Sequence, residues 1–143
     1  MAKFHYKYES IEEIKEHIKK NSEKEYALSL KAIENKKNEI KVLHQEYNNS
    51  YDMNTKLTTQ EIIFLEKYRE NLMAAIDKKK NELKELEKKS VEKLKVLVEH
   101  HKEHKVFEKL KEKELENFIK DQNKLEAKTL DEIANQNFNR REK

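Results

Sequence analysis

The chain contains no glycine, no proline, no cysteine and no tryptophan, and these gaps exclude whole classes of chemistry. Without glycine there is no phosphate-cradling P-loop and no GxGxxG dinucleotide turn, because both need backbone conformations or close approaches that only glycine allows. Without cysteine there is no disulfide framework, no thiolate nucleophile and no cysteine-based zinc site, a usage that fits a reducing compartment. Long apolar runs are missing too. The longest aliphatic or aromatic run, Ile62 to Leu65, falls far short of the ~20 residues that span a bilayer. The opening "MAKFHYKYES" has no apolar stretch of the kind a cleavable secretion signal carries. The expectation is a soluble protein that is not secreted by such a signal.

What is present is charge. Of the 143 residues, 43% are charged and 35% hydrophobic, too polar for one compact core. Such low hydrophobicity can signal disorder, but Glu, Lys, Leu, Ala and Arg make up roughly half the chain, the signature of a long helix or coiled coil. The net charge of +3 comes from 32 basic and 29 acidic residues, interspersed rather than segregated. That argues against a nucleic-acid or membrane-surface binder, so no nucleic-acid partner and no direct membrane insertion are expected.

Periodicity decides for helices. Thr58, Thr59, Gln60 and Glu61 read as a capping box, with Leu57 before the cap and Ile62 in the first turn as its hydrophobic staple. A helix therefore starts at about 58, and its pattern continues to about 138. At about 1.5 Å per residue, those eighty residues would extend on the order of 120 Å. Ser10 followed by Glu13 repeats the capping pattern and predicts a first helix over about 10–49. Its stripe reads Ile11, Ile14, Ile18, Ser22, Tyr26, Leu30, Ile33, Lys37, Ile40, His44, Tyr47 and Tyr51. Steps of four and three suit a two-helix seam, and the doubled four through Ser22 is a stutter. Asn48, Asn49, Ser50, Asp52 and Asn54 tolerate turn conformations and predict a turn at about 50–57, reversing near residue 54.

The second helix answers with Ile62, Leu65, Arg69, Leu72, Ile76, Lys79, Leu83 and Leu86, then Ser90, Leu94 and Leu97 with a second doubled four. Reversal near 54 would pair positions summing to about 109 and bring the two stutters opposite each other. The first helix would then run out near residue 100 of the second, leaving an overhang that carries Val106, Phe107, Leu110, Leu115, Phe118, Ile119, Leu125, Leu130, Ile133 and Phe138. Either the aromatic arm of Phe4, Tyr6 and Tyr8 covers its first turns or the stripe is a partner surface. The expected fold is all-α: a single coiled-coil domain over 1–143, an antiparallel hairpin with a longer, overhanging second helix.

Candidate chemistry is sparse. His100 and His104 stand one helical turn apart with His101 beside them, but two ligands do not complete a metal site, and HExxH is absent. No metal and no cofactor are expected. His44 reads as a packing or polar-register residue of the seam. Paired carboxylates occur throughout, yet acid and base work needs a desolvated cleft that separates their pKa values, and a two-helix hairpin offers none. The expectation is not an enzyme, with no catalytic residues.

Three stretches together resemble the flagellar export protein family FliJ. "FHYKYESIEEIKE" is similar to the family's opening and "LTTQEIIFLEKYRENLMAAI" to its second-helix start. "KVFEKLKEKELENF" followed by "LDEIANQNFNRR" is similar to its C-terminal segment. The order and spacing of the three carry the resemblance, which covers nearly the whole chain. At Ile11, Glu12 and Glu13 this opening is more acidic than the family's usual aliphatic pair. The resemblance implies a cytoplasmic component of the bacterial flagellar type III export apparatus, peripherally associated with the inner membrane and shaped like the two-helix part of the rotary ATPase γ subunit. It implies association with the hexameric export ATPase (FliI-like) and the cytoplasmic domain of the export gate (FlhA-like), coupling the two. Some members also handle export chaperones. It places the gate contact on Tyr68, Leu72, Ala75 and Lys79, whose spacing puts them on one helix face. The ATPase contact is expected at the terminal end of the hairpin, including Phe107, Leu110, Leu115 and Phe118. Alternative readings are a bridging or prefoldin-like coiled coil that binds at its tip, the stalk of a virulence-type secretion system, and a nucleic-acid binder whose affinity would fall steeply with salt.

Overall fold

The computed structural model describes residues 2–52 and 56–142. It contains two helices, α1 (Glu9–Asn49) and the longer α2 (Thr59–Glu142), and no strand among the described residues. The expected all-α hairpin is the observed fold. By their contacts the residues fall into two compact units, one spanning Lys20–Glu99 and the other combining the chain up to Lys19 with His100 onward.

Helix α2 starts where the capping box places it. The Glu61 amide donates to the Thr58 hydroxyl at 3.3 Å, the Thr58 amide donates to the Glu61 carboxylate at 3.2 Å, and the Ile62 amide reaches the Thr58 carbonyl at 3.0 Å. Thr58 is therefore the N-cap. Helix α1 corrects the other expected start. It begins at Glu9, and the Glu12 amide bonds the Tyr8 carbonyl at 2.9 Å, so Tyr8 holds the cap position that Ser10 was expected to fill. The Tyr8 ring is packed against Phe107 of α2, and this tertiary contact, rather than a serine hydroxyl, fixes where the helix begins. Glu9 and Glu12 then lie in the first turn, where the helix dipole favours carboxylates.

The end of α1 is closed by the other helix. No basic residue stands in its last turn, leaving the negative end of the dipole without a local cation. Arg69 of α2 supplies it. Its Nε donates to Ser50 Oγ at 2.9 Å and a terminal nitrogen to the Ser50 carbonyl at 2.8 Å, while the guanidinium lies 3.7 Å from the Tyr51 ring centroid. Tyr51 in turn meets Tyr47, ring to ring at 5.4 Å and hydroxyl to hydroxyl at 3.0 Å. Asn48 and Asn49 are the last helical residues, so α1 ends at the expected boundary, and no described residue has a positive φ. Asn54, the expected point of reversal, lies outside the described residues.

Within the Lys20–Glu99 unit the buried or half-buried positions of α1 and of the residue after it are Ser22, Tyr26, Ser29, Ile33, Lys36, Ile40, Leu43, Tyr47 and Ser50, joined on the flank by Ala32 and His44. Those of α2 are Leu65, Arg69, Leu72, Ile76, Lys79, Leu83, Leu86, Ser90, Lys93 and Leu97, with Ala75 and Glu82 on the flank. Each main track alternates fours and threes without a break, the pattern of a left-handed two-helix seam. The expected stripe was thus right at Tyr26, Ile33, Ile40 and Tyr47 and one residue out between them. Leu30, Lys37 and Tyr51 are exposed, while Ser29, Lys36 and Ser50 face inward. Serine lets the backbones approach and satisfies its own hydroxyl, as Ser29 does on the Tyr26 carbonyl at 2.6 Å. Lys36 buries its stem and brings its ammonium out to the carboxylates of Glu82 and Glu39 at the edge of the seam. The expected stutter through Leu94 is likewise absent, because Lys93 takes the inward position and Leu94 stays exposed.

Ion pairs give the register. Lys36 Nζ lies 2.8 Å from Glu82 and 3.4 Å from Glu39, and Lys79 Nζ lies 2.8 Å from Glu39. Opposed numbers add to 118 for Lys36 with Glu82 and for Glu39 with Lys79, and to 119 for Ser50 with Arg69. The expected value of about 109 is corrected, because α1 ends opposite Arg69 and not opposite the start of α2. In the other unit, Lys15 pairs with Glu103 at 2.8 Å, in the same register. Helix α1 therefore has partners on α2 beyond residue 100, where it was expected to run out.

Candidate partner-binding surfaces

The expected gate residues lie in the Lys20–Glu99 unit and differ in access. Tyr68 is 41% exposed, whereas Leu72 is only 7% exposed and is held between the helices. Ala75 and Lys79 are half-buried, and the Lys79 ammonium is engaged by Glu39. The four share an edge of α2, but the outward-facing part of that edge is Tyr68 with the flanks of Ala75 and Lys79.

Tyr68 also lines a groove of about 770 Å³ formed by the end of α1, the residues before the cap and the first turns of α2. Leu57, Phe64 and Leu65 give it an apolar wall, and Glu46 and Glu61 add carboxylates. Phe64 is 74% exposed, and Ile62 and Ile63 are exposed beside it. The sequence reading missed this surface, although the signal was present. In the unbroken apolar run Ile62–Leu65, a seam that takes one residue in about 3.5 leaves most of the run facing outward.

The expected ATPase residues lie in the other unit. Phe107 and Phe118 are half-buried, while Leu110 and Leu115 are exposed. The N-terminal arm covers the two phenylalanines. Phe4 meets Phe118 with ring centroids 5.5 Å apart, Tyr8 meets Phe107 at 6.3 Å, and the buried Tyr6 donates its hydroxyl to the Phe107 carbonyl at 2.8 Å. Burial, with Glu12 and then Glu114 adding to it, pushes the Tyr6 phenol above its ordinary value. Further along α2, Leu125, Leu130, Ile133 and Phe138 are exposed. The arm thus covers the first turns of the apolar stripe and leaves its later residues open.

In the same unit, His100 and His104 lie beside carboxylates of their own helix. His104 is 5% exposed, with Nδ1 3.4 Å from a Glu108 oxygen, and His100 Nδ1 is 3.9 Å from Glu103. Glu12 brings a carboxylate oxygen to 3.8 Å from the Lys111 ammonium. Among the described residues, no three acidic or histidine side chains converge as a metal ion requires. His44 is half-buried on the flank of the seam. Elsewhere the strongest electrostatic contacts join the helices. The hydrogen bond from Lys79 holds the Glu39 carboxyl below its usual range, and the hydrogen bond from Lys36 does the same for Glu82. The hydrogen bond from Lys15 lowers Glu103. These are fastenings between helices, not proton donors poised for chemistry.

No individual curated protein and no solved structure matches the chain. A protein-family description does: that of the flagellar FliJ protein, over residues 4–143. That span takes in the arm, both helices and both candidate surfaces. Taken with the two-helix hairpin and its longer second helix, this match means that the chain belongs to the flagellar FliJ family, a component of the flagellar export apparatus.

Proposed function

We propose that the chain is a non-enzymatic stalk that couples the hexameric export ATPase to the membrane export gate and in doing so handles the chaperones of export substrates. The observation that carries this reading is the family match over residues 4–143. Supporting it, Lys15, Lys36 and Lys79 pair with Glu103, Glu82 and Glu39 between the helices, so the ionised groups serve to hold α1 to α2. No helix among the described residues is long and apolar enough to cross a membrane. In this reading the protein works in the cytoplasm and reaches the inner membrane only through its partners.

The ATPase contact is assigned to the face bearing Phe107, Leu110, Leu115 and Phe118, and the gate contact to Tyr68 with the flanks of Ala75 and Lys79. The test is ATP hydrolysis and ring assembly by the cognate export ATPase, with and without this chain. Stimulated hydrolysis with more hexamer, both lost when Phe107 and Leu110 are changed to Ala, is the expected result. No effect at any stoichiometry would sink the coupling role. A second assay measures binding to the cytoplasmic domain of the gate, where Tyr68→Ala should weaken affinity about tenfold if the ring is an anchor of the contact.

The groove beside Phe64 favours a second reading, a bridging coiled coil that holds client proteins at its tip. It predicts that Phe64→Ser abolishes client binding and that the chain has no effect on ATP hydrolysis.

A further inference from the structure

We propose that the N-terminal arm is a displaceable cover over the face by which α2 meets the export ATPase, so that the free protein masks part of its own contact. The proposal rests on the stalk reading above. It starts from a conflict of occupancy. Phe107 and Phe118, two of the four residues assigned to that contact, are half-buried, and the rings nearest them belong to Tyr8 and Phe4 of the same chain. A partner cannot bury those phenylalanines while the arm does.

The construction suits displacement. The arm is non-helical through Tyr6 and turns into α1 at Lys7 and Tyr8, so its release up to Tyr6 melts no helix, and lifting Tyr8 from Phe107 loosens only the first turn of α1. Tyr6 is buried, yet its hydroxyl bonds a carbonyl inside α2, one that the helix already supplies with its own i+4 amide. Lifting Tyr6 away therefore leaves no orphaned backbone group on α2, and the uncovered face needs no refolding. Tyr6 and Tyr8 also carry hydroxyls that water satisfies on release. Leu110 and Leu115 remain exposed beside the arm and give an incoming partner a foothold before the phenylalanines are uncovered. A covered site binds with an affinity reduced by the fraction of time it is open, so the arm sets how readily the protein joins the ring.

The experiment compares the affinity of four full-length or near-full-length chains for the cognate export ATPase. They are the unaltered protein, a chain lacking residues 2–7, Tyr6→Ala, and Phe4→Cys with Phe118→Cys joined by a cleavable bis-thiol spacer. Since the natural chain has no cysteine, the spacer can join only those two positions. Circular dichroism checks each chain, and Tyr6→Ala carries the comparison if the shortened chain loses helix. The expected results are roughly threefold or greater tightening on removing the arm or its Tyr6 ring, and, within the Phe4→Cys, Phe118→Cys chain, which itself lacks one contact ring, roughly tenfold weaker binding with the spacer intact than after it is cleaved. Unchanged or weaker binding by the armless and Tyr6→Ala chains, or equal affinity of the tethered chain before and after its spacer is cleaved, would overturn the cover and leave the stalk standing. If no chain binds the ATPase, even uncovered, the stalk reading falls and the cover with it.

Discussion

At the scale of single residues, the seam draws its stability from few side chains. Ile76 is fully buried, at 0% exposure, so truncation leaves a cavity that two helices can only partly close. Ile76→Ala should cost about 3 kcal/mol in denaturant unfolding. Leu28→Ala, at an exposed position of α1, should stay within about 0.5 kcal/mol. Arg69 is the other residue that stands apart, since a single guanidinium meets the Ser50 hydroxyl, the Ser50 carbonyl and the Tyr51 ring. A lysine keeps the charge but not the planar fork, so Arg69→Lys should still lose about 2 kcal/mol. A lysine that preserved full stability would show that charge at the end of α1 is enough. Arg69 could be placed in the seam from spacing alone, but its grip on Ser50 could not, because Ser50 was assigned to the turn.

For whole elements, local signals were legible and competing ones were not. Thr58 with Glu61 is a pattern of side chain and nearby amide that no distant contact overrode. Ser10 with Glu13 carries the same pattern and lost to the packing of Tyr8 on Phe107. Along α1, hydropathy prefers Leu30 and Tyr51 over Ser29 and Ser50, yet the serines face α2. A phase error of one residue is invisible where the alternatives differ by size and hydrogen bonding rather than by greasiness. The same inward track places Lys36 between Glu82 and Glu39, and this predicts a pH profile. Carboxyls held below their ordinary value of 4.5 stabilise the fold above that value and lose the effect as pH falls through the lowered one. Lys36 is raised above 10.5, chiefly by its hydrogen bond to Glu82, and stabilises below 10.5 until pH rises through the higher value. Thermal melts should therefore be flat across neutral pH, fall in acid below about 4.5 and fall again in strong base. Lys36→Met with Lys79→Met should flatten the acid fall, and an unchanged acid fall would assign it to other carboxylates.

On the scale of the molecule, the family could be read from three stretches in order, while the register could not. Composition, periodicity and the cap led to a hairpin with a longer second helix, and the matched span of residues 4–143 agrees with the resemblance. The pairing moved from about 109 to 118 because α2 makes about ten residues of helix before its first interhelical hydrogen bond, at Arg69. Spacing within each helix carries no information about that offset. Of the candidate surfaces, the edge bearing Tyr68 was expected from the resemblance and the face bearing Phe107 from the apolar overhang, but the groove beside Phe64 needs the offset to exist.

That offset leaves the connecting segment with little to decide. The rungs at Lys36–Glu82 and Glu39–Lys79 lie at helix positions and the Ser50–Arg69 clasp joins α2 to the residue that follows α1, so each helix carries its own address for the other. A chain severed after Asp52 should reassemble from its two pieces as a one-to-one complex, seen as recovered helicity and a sharp stoichiometric endpoint on mixing. If the pieces ignore each other, the covalent link is what brings the helices into line. If they join, the connection is a place where a tag, a fluorophore or an entire foreign domain can be spliced in while the hairpin continues to assemble.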